Sequence, residues 1–244
     1  MYLLDSSVLL SDITPTIIWY FGSMMLPMMV FFVLSIRFQA SSTRFFLYAL
    51  MGVLCTTFLL LFLGTLETIG LLDAVSNRYL NILLSVALPE ELCKLFGFFL
   101  VVRLSIKKTH AERPTWLRQH EGSLGFVSGF IGFETVLYMK GFLLNETLSS
   151  DWFLYILNRN LCAGSLHLAT MIVLLSTLHV RKKRTWIFCA FLFNSLYHAA
   201  FNTLVDVGYP DSLFYVMGLS FLSVSVLLLW RISKNGLSDS SPAS

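Results

Sequence analysis

Long apolar runs separated by short polar connections make up most of this chain. Each run approaches the ~20 residues that an α-helix needs to cross the hydrocarbon core of a bilayer. Continuous runs favour helices over a membrane β-barrel, whose strands alternate in polarity. We therefore predict one all-α membrane domain over residues 1–244, a polytopic bundle of about seven transmembrane helices. The predicted spans lie near residues 15–36, 45–71, 80–103, 123–144, 159–180, 185–207 and 212–232.

The composition indicates that lipid is the solvent of these helices. Hydrophobic residues make up 56% of the chain and charged residues only 13%, whereas soluble domains carry about 25% charged residues. This balance excludes an ordinary soluble enzyme. The four cysteines, Cys55, Cys93, Cys162 and Cys189, fall inside apolar runs without a CxxC spacing. We interpret them as reduced, buried small hydrophobic residues.

Basic residues cluster in alternate connections between the spans, which predicts the orientation of the chain. Cytoplasmic connections of membrane proteins are enriched in Lys and Arg, so we expect the N-terminus outside and the C-terminus in the cytoplasm. The net charge of +3 then reflects topology and contact with lipid headgroups, and we expect no nucleic-acid partner. The clusters are Arg37 and Arg44, Arg103 to Arg118, Arg181 to Arg184, and Arg231 with Lys234.

Ionisable and amide side chains occur inside four of the predicted spans, where charge is costly and usually functional. Counted from the outer end of each span, they lie at a similar depth of roughly 12–15 Å. This common depth predicts that antiparallel helices bring them into one site. The residues are Glu90, Glu91 and Lys94 in the third span, Glu134 in the fourth, His167 in the fifth, and His198 with Asn202 in the sixth.

Helical spacing predicts how two of these spans are oriented. Glu90 and Lys94 share a helix face because residues four apart are neighbours. On the fourth span, Gly125, Gly129 and Gly132 lie roughly opposite Glu134. Small residues allow close helix contact, so we predict that this glycine face packs against a neighbouring helix while Glu134 points into the bundle.

Taken together, these motifs resemble the PrsW family of intramembrane proteases, which is related to the CAAX prenyl endopeptidases. The resemblance covers roughly residues 80–207, the protease-like core. The prenyl endopeptidases usually have EExxxR and FxxxH, so this chain is more similar to PrsW. The matching elements are EExxK at Glu90 to Lys94, FxxxE at Phe130 to Glu134, Arg159 followed by His167, and HxxxN at His198 to Asn202.

The resemblance implies a glutamate-type endopeptidase that hydrolyses a peptide bond of a membrane-anchored protein. In that family the best known role is cleavage of an anti-sigma factor in regulated proteolysis. The resemblance also implies a location in a bacterial cytoplasmic membrane.

A mechanism can be written from the residues. Glu90 or Glu91, tuned by Lys94, would accept a proton from a water that attacks the scissile carbonyl. His198 and Asn202 would donate hydrogen bonds to the oxyanion, an interaction that typically contributes a factor of roughly 10²–10³. These assignments leave open which glutamate is the base.

The remaining two residues leave two versions of the chemistry open. Glu134 or His167 would orient the water or protonate the leaving amine, and the reaction would then need no cofactor. Alternatively, His167, His198 and Glu134 could hold a divalent metal such as zinc, because two histidines and one glutamate are a known ligand set of catalytic zinc sites.

Three other classes of protein are consistent with buried ionisable residues. A proton-coupled transporter or channel uses carboxylates and histidines as proton relays, although we detect no internal repeat of the kind many transporters have. A membrane scaffold or receptor would tolerate neutral residues at Glu90 and Glu91. A prenyl-protein endopeptidase would require a prenylated substrate.

Overall fold

The computed structural model describes residues 22, 28, 29, 32, 41–68, 77–107, 115–143, 157–179, 183–209 and 211–238. Within these segments every regular element is helical, as predicted. The first predicted span, 15–36, lies almost entirely outside the described residues. The helices are α1 (Ser42–Thr68), α2 (Arg78–Ile82), α3 (Leu88–Lys107), α4 (Thr115–Leu143), α5 (Ser165–Ser176), α6 (Lys183–Val207) and α7 (Asp211–Ser238).

Three helical segments are long and apolar enough to cross a membrane, judged by length and composition. They are Ser42–Leu66, Leu157–Ser176 and Arg184–Val207. A shorter apolar stretch, Leu213–Leu227, lies within α7. Many large apolar side chains on these helices are exposed, including Phe58 at 72%, as expected for surfaces that face lipid. The chain is therefore an all-helical protein with the features of a membrane protein, whereas the total of seven spans stays a prediction.

Helices α1 and α4 pack with their backbones in close contact. A Cβ atom on Gly129 would lie 1.8 Å from the carbonyl oxygen of Ala49, and one on Gly125 would lie 2.3 Å from that of Phe45. In the opposite direction, a Cβ atom on Gly52 of α1 would lie 2.1 Å from the carbonyl oxygen of Phe126. Only glycine permits this approach, so the predicted packing of the glycine face is confirmed for Gly125 and Gly129, and the partner helix is α1.

Helix α4 begins earlier than predicted. We expected a basic connection up to residue 122, but α4 starts at Thr115. Glu121 is fully buried and its Oε1 accepts a hydrogen bond of 2.8 Å from the backbone N–H of Ser41. Arg44 lies 3.7 Å from the other carboxylate oxygen. The N-terminus of α1 stabilises the buried carboxylate of Glu121. The polar first turns of α4 can therefore be buried.

Two segments of π-helix interrupt the regular helices. The first, Leu83–Ala87, joins α2 to α3 and ends just before Pro89, and the second, Asn160–Gly164, leads into α5. Proline lacks a backbone N–H, so it cannot continue the regular hydrogen-bond ladder. Single π turns inside helices are frequent at functional sites. Both π segments directly precede residues of the predicted site.

Candidate functional site

Lys94 lies at the centre of a buried polar cluster. Its side chain has no solvent exposure. The ammonium group forms a short hydrogen bond and ion pair with Oε1 of Glu91 on the same helix. It lies 3.0 Å from Nδ1 of His167 and donates to Oγ1 of Thr170, also at 3.0 Å. An ammonium group has only donors, so Nδ1 of His167 is the acceptor and the proton of the neutral ring is on Nε2.

His198 connects the two adjacent glutamates. Its Nδ1 lies 3.0 Å from Oε1 of Glu91, and its Nε2 lies 3.5 Å from Oε2 of Glu90. The ring of His167 packs edge-on against that of His198, with centroids 5.1 Å apart. Because an ionised carboxylate only accepts hydrogen bonds, Nδ1 of His198 is a donor. The imidazole therefore directs Nε2 towards Glu90.

Glu134 joins the cluster from α4. Its Oε1 accepts a hydrogen bond of 2.7 Å from Arg159, and its Oε2 lies 2.8 Å from Nε2 of His167. The N–H direction at Nε2 does not make this second contact a well-aligned hydrogen bond. Glu134 is thus held between a guanidinium and an imidazole, and Nε2 of His167 keeps donor capacity for another oxygen.

Two cavities reach the cluster from different sides, and Glu134 contributes to both. The first, of about 240 Å³, lies between α1 and α4 and also contains Glu90; its other lining residues are Thr56, Leu59, Leu60, Leu63, Phe130 and Leu137. The second, of about 340 Å³, lies beside α6 and includes His167, His198, Asn202 and Asp206. In the described part of the chain, Glu134 therefore borders a cavity on each side, whereas Glu90 borders only the first.

The structure brings together the side chains that the sequence predicted. Glu90, Glu91, Lys94, Glu134, His167 and His198 are linked by the contacts above. Asn202 lies one helical turn beyond His198 in the second cavity. The roles assigned to these residues stay predictions.

Two contributors were not assigned to the site from the sequence. Arg159 is part of a sequence motif without an assigned role, and the structure pairs it with Glu134. Thr170 belongs to no motif. Its Oγ1 accepts from Lys94 and donates to the carbonyl oxygen of His167. Thr170 and His167 are three residues apart and so share one helix face. This spacing is the one sequence feature that indicates Thr170 as a neighbour of the site.

The donor atoms best placed for a metal ion differ from the predicted set. Glu90, His167 and His198 each offer one ligand atom within 4.8 Å of the others. We predicted Glu134 in place of Glu90, but Glu134 is engaged by Arg159. The donor set is still two imidazoles and one carboxylate, which suits zinc.

The fold and the cluster define the class of this protein as an all-helical membrane protein with a buried polar site. Comparison of the chain with protein-family models, with curated proteins and with solved structures gives no match. The functional argument therefore rests on the geometry of the site.

Proposed function

We propose that this protein is an intramembrane endopeptidase that hydrolyses a peptide bond of a membrane-anchored protein. The observation that carries the proposal is the meeting of Glu90, Glu134, His167 and His198, from four helices, around two small cavities. Carboxylates and imidazoles can move protons to and from water and a peptide. The motif resemblance to the PrsW family supports the same activity.

Glu90 is the better candidate for the general base. Glu91 is almost fully buried, and one of its oxygens accepts from both Lys94 and His198. Glu90 lines the first cavity, and its Oε2 has no hydrogen-bond partner within the described residues. We assign to Glu90 the acceptance of a proton from water, and to Glu91 the orientation of His198.

The other polar groups would act on the substrate. Protonated His198 donates from both ring nitrogens, so Nε2 can stabilise the oxyanion while Nδ1 stays bonded to Glu91. Asn202 would supply a second donor from the next turn of α6. As the C–N bond breaks, Glu90 would return its proton to the leaving amine. Glu134 and His167 would orient the water.

A metal version of the same reaction remains to be tested. Glu90, His167 and His198 would hold a zinc ion, which would polarise the peptide carbonyl and the attacking water. Metal analysis of the purified protein, with activity measured before and after chelation, separates the two versions.

We also propose the seven-span topology, with the N-terminus outside and the C-terminus in the cytoplasm, in a bacterial cytoplasmic membrane. The basic connections support this orientation. In this orientation the buried polar cluster lies in the outer half of the membrane. Fusing reporters of cytoplasmic or external location to the two termini tests the orientation.

One observation favours a second candidate, a proton-coupled transporter. Cavities on both sides of Glu134 are what a proton relay through the bundle would require. Proton flux in liposomes that depends on Glu134, together with no change in any membrane protein of the cell, would favour this class.

Comparative proteomics of membranes is the experiment that tests the proposed protease. Cells would produce either the wild-type protein or Glu90→Gln, which keeps the size of the side chain and removes its charge. We expect a membrane protein that is truncated only with the wild type. The matched control is Glu121→Gln, which neutralises a buried carboxylate roughly 20 Å along α4 from Glu134.

The control should cleave normally if it folds, which size-exclusion chromatography and thermal unfolding would establish. Identical protein termini in cells with wild type and Glu90→Gln, under conditions where both proteins are folded, would overturn the proposed protease.

A further inference from the structure

Two cysteines from different helices meet beside the candidate site. Cys55 lies on α1 and Cys93 on α3, both line the same groove, and their thiols are within reach of each other. Both are free and only half-buried. No pattern in the sequence indicates this pair, because the two residues lie in separate spans and have no motif spacing. The pairing is therefore a property of the packing of α1 against α3.

Both thiols line an apolar groove of about 660 Å³ between α1 and the α2–α3 region. Its other lining residues include Phe58 and Phe96, which are 72% and 62% exposed. Within the described residues the groove is open to the lipid side of the bundle. We infer that this groove faces lipid and that reagents dissolved in hydrocarbon reach Cys55 and Cys93.

The thiol pair lies in the wall between this groove and the carboxylate cavity. Thr56, adjacent to Cys55, lines the cavity that contains Glu90, and Leu59 lines both spaces. Cys93 is on the same helix as Glu90, three residues further on. A change in the separation of α1 and α3 at the thiols would therefore change the cavity around Glu90.

We propose that Cys55 and Cys93 are a redox modification site, at which a reversible disulfide formed by a lipid hydroperoxide switches off the neighbouring site. One thiol attacks the peroxide, forming a sulfenic acid, and its proton passes to the departing alkoxide to give an alcohol. The second thiol attacks the sulfenic sulfur and releases water. Two thiols lose two electrons and the O–O bond gains them.

The closure of this bond would act mainly on α3. The sulfurs must approach each other to about 2.05 Å. Helix α1 is fixed against α4 by the backbone contacts of Gly52 and Gly129, so it has little freedom to move. Helix α3 follows an irregular π segment and carries Glu90. The disulfide would thus displace the carboxylate that we assign as the base.

The test uses the full-length protein in liposomes, in a Cys162→Ser, Cys189→Ser background that keeps only the pair. Cumene hydroperoxide, which enters the bilayer, is the oxidant. We expect the intact mass to fall by two hydrogen atoms and dithiothreitol to restore it. The matched control keeps Cys55 and Cys189 instead, on separate helices, and should not lose two hydrogen atoms. If the intact mass rises by that of oxygen but never falls by two hydrogen atoms, the proposed disulfide is wrong.

The effect on the site rests on the proposed function and has its own measurement. Oxidation should lower cleavage by about 100-fold, the scale of effect of a 1 Å misplacement, and dithiothreitol should restore it. The Cys55→Ser variant should keep its activity under the same oxidant. A disulfide that forms with cleavage unchanged would overturn the switch. If the reduced protein cleaves nothing, the proposed protease fails while the mass measurement still decides whether the pair forms a bond.

Discussion

Replacing Lys94 by methionine is the sharpest test of the buried cluster. Methionine nearly matches the length of the lysine stem and removes only the ammonium group. That group is the shared partner of Glu91, His167 and Thr170. Its loss leaves the Glu91 carboxylate buried without its cation, a change that costs about 3–5 kcal/mol. For a chain of this length the cost corresponds to a fall in Tm of roughly 6–20 °C.

The assay is thermal unfolding of purified protein in detergent, with Glu91→Gln/Lys94→Met as the second variant. The double variant carries no unpaired charge, and replacing a buried ion pair by neutral groups is often close to neutral in stability. We therefore expect it to recover most of the lost Tm. A Lys94→Met protein that melts within about 2 °C of wild type would refute the reasoning. So would a double variant that melts below the single one.

Three further predictions test the packing and the site. Gly129→Ala should lower Tm, because the new Cβ would lie 1.8 Å from the carbonyl oxygen of Ala49. In the control Gly64→Ala the new Cβ meets nothing within 4 Å, so Tm should stay the same or rise. Equal shifts in Tm for the two variants would contradict the close packing. Thr170→Val should lower the free energy of unfolding, measured by chemical denaturation, by about 1–3 kcal/mol. Asn202→Ala should lower kcat by roughly 10²–10³ with Tm unchanged, and undiminished turnover would remove it from the oxyanion site.

The helices and the convergence of the site follow from local features of the sequence. Each of the predicted second to seventh spans coincides with a described helix, because long apolar runs admit few other structures, although α4 begins eight residues before its predicted span and α7 ends six residues after its own. The similar depths of Glu90, Glu134, His167 and His198 depend only on helix rise and antiparallel connection. Both quantities are fixed by one-dimensional spacing, which a single sequence displays.

The features that were missed depend on contacts between helices. Glu121 falls in the basic connection that the sequence predicts up to residue 122, and its burial cannot be predicted there because its partners, the backbone of Ser41 and the side chain of Arg44, belong to another helix. The choice between Glu90 and Glu134 as a metal ligand depends on the position of Arg159. Helical spacing shows which residues share a face, but it does not show which atoms meet across an interface.

The site combines a rigidly packed helix with helices of irregular geometry. Glu134 lies on α4, and the glycines of α4 allow this helix to pack directly against α1. Glu90 and His167 follow π segments on two other helices. One extra residue in a helical turn rotates everything beyond it by about 100°, so each π segment resets the face that its helix presents to α4. Arg159, just before the second π segment, and His167, just after it, both reach Glu134. The two π segments thus help to set the faces on which two helices supply charged groups to one buried cluster.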